Sequence, residues 1–477
     1  MTVLALPRYV DEFEIPTLES APLAITTDSH GRIWFTESNV SKLGMFDPVN
    51  QTFKEFTVPG VGDMWGIIVD LDGHVWMTQY AGKGSVNPGG NIVGGGSGRL
   101  IAFDVANKSF TSISIPSNGS FPMRITVDHE DNIWFTEFLG GKIGEYDQAS
   151  KRLQEYSLPD NNSGPADLTF DRDGFLWFTE AYSQRLGRLD VATHHISEFN
   201  LSAQSPPDIV GSPVGLAVDH DGIVWVADHG GSWIVRFDPA TQITTHYPTR
   251  IPPSDVYPLS IPNGLLVDNE GRIWFSEHGG NSIGYLGQDR RTMVEYAIPS
   301  GPISTPLWIT LAPNEDIWFA EWASNKIGVV HAHLPVQIDL NAAEVSYTSD
   351  IGGTLELSIA AKLNMPLEGN ATWDYSWSSY NPNDLSVTFS QQYPELDTQQ
   401  IQTEAHAQLS SQVHPGNYTL AIGLNLGEVR ISTMLTINIQ PTTKTNPSAY
   451  VPFVLVAIVL AGVVTFRSRL FKAKDHH

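Results

Sequence analysis

The sequence has no cysteine, which removes disulfides, thiolate nucleophiles and zinc–thiolate centres from consideration. It is also short of basic charge, with 27 Lys and Arg against 52 Asp and Glu and a formal charge of −25. Such a surface repels a phosphate backbone and favours cations or neutral ligands, so nucleic acid is excluded as an expected partner. Met1 to Val10 carries too short an apolar run for a secretory leader. What is plentiful is core-forming material: 41% hydrophobic residues and 10% aromatics over 477 residues, room for two or more domains.

The residues up to about 335 are organised around a repeated ending. It reads Trp34-Phe35-Thr36-Glu37, then Trp76-Met77-Thr78-Gln79, Trp134-Phe135-Thr136-Glu137, Trp177-Phe178-Thr179-Glu180, Trp225-Val226-Ala227-Asp228, Trp274-Phe275-Ser276-Glu277 and Trp318-Phe319-Ala320-Glu321. The tryptophans are 42, 58, 43, 48, 49 and 44 residues apart, the period of a four-stranded propeller blade. Each repeat reads as an apolar run opened by Pro, an Asp/Gly turn, the tryptophan strand, a third strand such as Lys42-Leu43-Gly44-Met45-Phe46-Asp47, and a fourth such as Phe53-Lys54-Glu55-Phe56-Thr57. The last repeat lacks its fourth strand, whereas Asp11-Glu12-Phe13-Glu14-Ile15-Pro16 is a fourth strand without a hairpin. The expected fold is therefore all-β, a seven-bladed propeller over 9–332 closed by the N-terminal strand, which removes free sheet edges.

From 336 to 440 the period is lost and irregular strands follow. Pro415-Gly416-Asn417-Tyr418 resembles the corner before a late strand of an immunoglobulin-like sandwich. A polar linker at 441–449 leads to an uncharged run at 450–466, long enough for one transmembrane helix, and then to a basic tail at 467–477 with Arg467, Arg469, Lys472 and Lys474. The positive-inside rule places the tail in the cytoplasm and both folded domains outside a cell membrane crossed once. Acceptor sequences for N-glycosylation at Asn39, Asn50, Asn107, Asn118, Asn161, Asn200, Asn370 and Asn417 point the same way.

The phrase Asp-Gly-x-Ile-Trp-Phe-Thr-Glu, then Asn-Lys-Ile-Gly, then Glu-Phe-x-x-Pro, carried by 134–146 and 318–328 among others, resembles the repeats of the streptogramin B lyases, the virginiamycin B lyase family. The resemblance implies a propeller and a magnesium-dependent elimination that opens the lactone of a cyclic depsipeptide. It also implies a histidine base after the opening Pro of the last blade, an acid before that Pro, a Glu ending the second strand, and a further histidine after the Pro of the preceding blade. Here those places read Thr305-Pro306-Leu307 and Ile261-Pro262-Asn263, and only Glu321 matches.

Antiparallel pairing puts each terminal acid beside the Pro that opens its blade, on the face where the insertions at 82–98, 202–212 and 251–261 also open. Glu37, Glu137, Glu180, Asp228, Glu277 and Glu321 could converge on a hard cation, Mg²⁺ or Ca²⁺, with Glu321, Glu277 and Asp228 as its ligands and Asp167 and Asn263 as neighbouring oxygen donors. Equally, each acid could serve its own blade. His229 and His278 directly follow acids in adjacent blades and are the candidate general bases; solvated loop histidines are the plain alternative. His331 and His333, at strand spacing, offer two nitrogens without a third ligand. Trp308 and Trp322 depart from the repeat and could stack on an apolar or sugar-like ligand. Three readings follow: a membrane-anchored propeller that binds a small-molecule, peptide or glycan ligand or a surface partner without lyase activity; a divalent-cation-dependent lyase or hydrolase acting on a lactone or cyclic depsipeptide; and a structural surface component.

Overall fold

The computed structural model describes residues 7–81, 85–86, 92–93, 96–201, 211–250, 259–301, 304–336, 338–364, 370–379, 381–394, 396 and 400–441. The run at 450–466 lies outside them, as do large parts of the insertions at 82–98, 202–212 and 251–261. Among the described residues no helix is long and apolar enough to cross a membrane.

The repeats, numbered here as units one to seven by their tryptophans, each form a four-stranded antiparallel sheet. Unit one pairs Pro22–Thr27, Ile33–Glu37, Lys42–Asp47 and Thr52–Thr57 in that order. The opening strands pack in sequence, from Pro22–Thr27 to Asp63–Val69, Pro122–Val127, Pro165–Phe170, Pro213–Val218, Pro262–Val267 and Pro306–Leu311, which returns to the first. In unit seven the outer strand is the N-terminal Val10–Glu14, paired from Val10↔Val330 to Glu14↔Lys326, as the leftover phrase predicts.

Three parts of the repeated phrase have separable jobs. The turn Asp28 holds the backbone of His30 and Arg32 through one oxygen and accepts the indole N–H of Trp34 at 2.8 Å through the other. Asp70, Asp128, Asp171, Asp219 and Asp268 hold their tryptophans in the same way at 2.7–2.9 Å. That bond satisfies the indole N–H, so the ring can fill the space between sheets without an orphaned donor. Phe35 lies across Gly44 of the next strand so closely that a Cβ there would sit 2.2 Å from the ring. Glycine recurs under Phe135, Phe178, Phe275 and Phe319 because no other residue leaves room for the ring. The hydroxyls of Thr78, Thr136, Thr179 and Ser276 donate to backbone carbonyls of the following unit, Met123, Ala166, Val214 and Leu307, and so tie neighbouring sheets together.

Residues 338–440 form a second layer pair. One sheet is Ile338–Ala342, Thr354–Leu363, Gln400–Leu409 and Leu385–Phe389. The other holds Ala371–Trp377, Gly416–Leu426 and Val429–Gln440, with Ser346–Asp350 parallel to the last of these. Tyr418 donates its hydroxyl to the His414 carbonyl at 3.0 Å, the corner tie expected from its sequence context. This second sheet continues the sheet of unit six. Val429–Gln440 pairs with Thr292–Ala297, the outer strand of unit six, from Thr292↔Thr433 to Tyr296↔Val429, giving one eight-stranded sheet. At that seam the fully buried Arg430 bonds Glu295 of unit six and Asp374 of the second sheet.

Candidate functional site

Each terminal acid does pair with its opening proline: Pro22↔Glu37, Pro122↔Glu137, Pro165↔Glu180, Pro213↔Asp228, Pro262↔Glu277 and Pro306↔Glu321. They do not gather on the axis. Among the described residues no three His, Asp or Glu side chains come together to hold a metal ion. The reason is strand alternation: Glu37 shares a face with Phe35, and that face is turned along its own sheet towards strands three and four. Glu37 therefore meets Lys42 and Glu55, and Lys42 bonds Glu55 at 3.0 Å. Glu137 meets Glu155 and Lys142, and Glu180 meets Glu198 and Arg185 beside Ser163. Burial, then the neighbouring carboxylate, pushes Glu37 up to about 7 and Glu137 up to about 8, while burial pushes Glu180 up to about 7. Glu277 and Glu321 are raised by burial in the same way; they accept hydrogen bonds from Ser282 and Ser324 in their own units. Asp228 accepts from the backbone N–H of Ser212 at 2.8 Å and of Gly230 at 3.1 Å. The donor set Glu321, Glu277 and Asp228 is thus split among three sheets and does not fit Mg²⁺ or Ca²⁺.

The axis is filled instead by residues two places after the opening proline. Arg124 of unit three stacks on the Trp308 ring of unit seven, with its guanidinium carbon 3.7 Å from the centroid. Its Nε donates to Asp167 of unit four at 3.1 Å, and Asp167 also accepts from the Leu216 N–H of unit five at 3.0 Å. Burial raises the Asp167 carboxyl even with Arg124 beside it. Asp167 and Trp308 therefore plug the ring and do not line an open ligand surface. Sequence reasoning missed Arg124, although Arg124, Asp167 and Trp308 occupy the same place in their repeats.

The two candidate histidines do meet. His229 and His278 have ring centroids 5.7 Å apart, and His229 Nδ1 lies 3.3 Å from the Pro262 carbonyl where unit six opens. Asn263, the next residue, donates to the Leu307 carbonyl at 2.8 Å. Burial lowers His229, and burial followed by the nearby His229 lowers His278 to about 4, so both rings are neutral at pH 7. A base so depressed is a poor match to proton abstraction near neutrality. The residue before the opening proline has a positive φ in units one, three, four, six and seven, at Ala21, Phe121, Gly164, Ile261 and Thr305, so the 53° and 58° at Ile261 and Thr305 are a feature of the repeat. Trp322 stands exposed at the neighbouring rim, its backbone N–H bonded to the Thr305 carbonyl. His331 and His333 belong to the opposite, turn end of unit seven. There Asp316 bonds both rings and Asp11 of the closing strand bonds His331, which is raised to about 9, by the Asp316 hydrogen bond first.

A model of the virginiamycin B lyase family matches residues 96–343. A solved streptogramin B lyase structure is 29% identical, with a TM-score of 0.57, over 68% of this chain and 97% of that one. A catalytically inactive virginiamycin B lyase from Staphylococcus aureus with quinupristin is 25% identical, with a TM-score of 0.56, over 67% of this chain and 98% of that one. YCF48 bound to D1 peptide, 12% identical with a TM-score of 0.52 over 70% of this chain and 99% of that one, shares the fold alone. No curated protein matches this chain in sequence.

Proposed function

Since this chain belongs to the virginiamycin B lyase family, we propose that it is a binding member of that family, a seven-bladed propeller whose proline-opened face takes a peptide-like, glycan or other small ligand without opening a lactone. The observation that carries this is the opening of units six and seven. Where the family resemblance calls for histidines the chain has Asn263 and Leu307, and the Asn263 amide is committed to the Leu307 carbonyl. The histidines that are present there, His229 and His278, lie against each other with their rings tilted by 46° and are kept neutral by burial. The cation-dependent lyase or hydrolase reading would need Glu321, Glu277 and Asp228 in one shell, and each is bonded within its own sheet. The exposed Trp322 on the same rim offers a ligand an aromatic face to dock on.

The proposal extends to where the molecule works. The second layer pair is read as an immunoglobulin-like sandwich, and the run 450–466 with its basic flank as a single anchor that holds both domains outside the membrane. The test is incubation of the purified chain with quinupristin and Mg²⁺, followed by mass spectrometry, alongside calorimetric titration. The expected result is intact depsipeptide at every time point, with any binding isotherm weakened by His278→Ala. Ring-opened product that accumulates above the enzyme-free rate would overturn the binding reading.

A further inference from the structure

A charge plan recurs where strand three begins. In unit one Lys42 stands opposite Glu37 and bonds Glu55 of strand four at 3.0 Å. Glu55 also accepts, at 3.1 Å, from the backbone N–H of Thr17, the residue after the proline that closes the preceding fourth strand. Units three and seven repeat the arrangement with Lys142, Glu155 and Ser117, and with Lys326, Glu12 and Ser300. Unit four pairs Arg185 with Glu198, and in unit six Arg430 supplies the cation for Glu295. Unit five has neither partner, with Trp233 and His246 in the two places.

Unit two keeps the cation and loses both acids. Arg99 takes the place of Lys42, opposite Gln79, and the exposed Ser112 takes the place of Glu55, opposite Ile101. Gln79 is fully buried, and neither its amide nitrogen nor its oxygen has a hydrogen-bond partner. Among the described residues Arg99 has no ion pair or hydrogen bond, and its buried Nε is left without a partner. Its guanidinium lies against Gly60, the counterpart of Thr17, so closely that a Cβ there would sit 2.7 Å from Nη2. Gly60 is exposed and Arg99 only half-buried, so the place can be reached from water. Asp63, three residues after Gly60, does not fill the gap: its carboxyl is raised by burial alone, with no cation lowering it. Buried polar groups are as a rule paired, and here an arginine and an amide both stand unpaired where other units hold a carboxylate.

We propose that unit two binds the carboxylate group of a small ligand, which takes the place of the missing strand-four glutamate. The two oxygens of a carboxylate match the fork of the Arg99 guanidinium, and the Gln79 amide N–H is a further donor. Because Gln79 is neutral, no acid on strand two repels the incoming charge. A doubly charged sulfate or phosphate is disfavoured, since a chain of formal charge −25 opposes it more strongly than it opposes a monoanion. Unit one separates this place from the rim of units six and seven, so the site stands whether or not a ligand docks beside His229 and His278.

The test is ligand-observed NMR titration of the full chain, in carboxylate-free buffer, with Nα-acetylalanine and with sodium glucuronate. Nα-acetylalanine amide and sodium sulfate are the controls. Saturable binding of a carboxylate probe but not of the controls is expected, and the two probes distinguish a peptide end from a sugar acid. Arg99→Gln removes the charge and should weaken binding roughly 10- to 100-fold, the loss of a charge-assisted hydrogen bond. Ser112→Glu restores the acid of the other units and should occupy Arg99 from within. It should therefore abolish carboxylate binding while raising the melting temperature, a combination that misfolding cannot produce. His278→Ala should leave binding unchanged, so failure of the rim reading and failure of this one are separable. Absence of carboxylate binding in the parent chain, undiminished binding in Arg99→Gln or Ser112→Glu, or sulfate binding as tight as the carboxylates would overturn the proposal.

Discussion

Replacing Arg430 with methionine tests how firmly the two layered parts are joined. Arg430 is 2% exposed and Glu295 is equally buried, whereas Asp374 keeps about a third of its side chain in contact with water. Removing the guanidinium leaves Glu295 as a buried charge held only by the Arg250 backbone N–H at 2.8 Å. Breaking a buried pair from one side costs about 3–5 kcal/mol. Because Asp374 can rehydrate and the Arg250 bond survives, about 3 kcal/mol is the expected loss for Arg430→Met. Methionine fills most of the vacated volume, so the cost is electrostatic and a second substitution should relieve it: Glu295→Gln in the Arg430→Met background should recover most of the stability. Urea unfolding of the parent, both single variants and the double variant closes the cycle. Additive effects, or a loss below about 1 kcal/mol for Arg430→Met, would refute the argument that this pair carries the junction between unit six and Val429–Gln440.

Two further outcomes are expected. Glu137 is fully buried and raised to about 8 from an ordinary carboxylate value, so the folded state holds its proton where the unfolded chain has released it; its contribution to stability is complete below about pH 4.5 and is lost as pH rises through 8. Thermal unfolding should accordingly show Glu137→Gln more stable than the parent at pH 8 by roughly 1–3 kcal/mol and nearly equal to it at pH 5, and a pH-independent difference would count against a buried, protonated Glu137. Gly144→Ala would place a methyl 2.0 Å from the Phe135 ring, and overpacking of this kind should lower stability by roughly 1–3 kcal/mol in denaturant titration; the double change with Phe135→Val should restore part of it.

Much of the ring was legible because its logic is local. Trp34 and Asp28 are six residues apart and meet in one hairpin, and Gly44 is the only residue type that fits under Phe35. Counting strands sufficed to assign Val10–Glu14 to unit seven, and antiparallel pairing sufficed to set each acid beside its proline and His229 near His278. The direction of the acids was misread although its signal was present: Phe35 and Glu37 are two residues apart and must share a face, and the recurring Lys42 and Glu55 stand opposite on that face. What could not be read are contacts between segments with no periodic relation. Arg124 reaches Trp308 across the axis, and Thr292–Ala297 pairs with Val429–Gln440 after more than a hundred intervening residues.

In a repeated fold the copies serve as controls for one another, and function is best sought where one copy stops obeying the shared rule. The raised acids fail that criterion. Five units bury a glutamate at the same level, so its shifted proton affinity belongs to the architecture, however closely it resembles a catalytic signature. Unit seven breaks the rule at its turn, with Ala312 where the other units have Asp. Its nearby Asp316 is spent on His331 and His333, and Asp11 of the N-terminal strand completes the group. That departure has a structural explanation, since it fastens the strand that closes the ring. Units two and five each break the rule at several matching positions together: Met77, Gln79, Ile101 and Ser112 in the one, Val226, Asp228, Trp233, Val235 and His246 in the other. Where several positions change together the departure is not the drift of one residue, and such a unit is a sharper place to look for a specialised role than the acids the repeat displays most often.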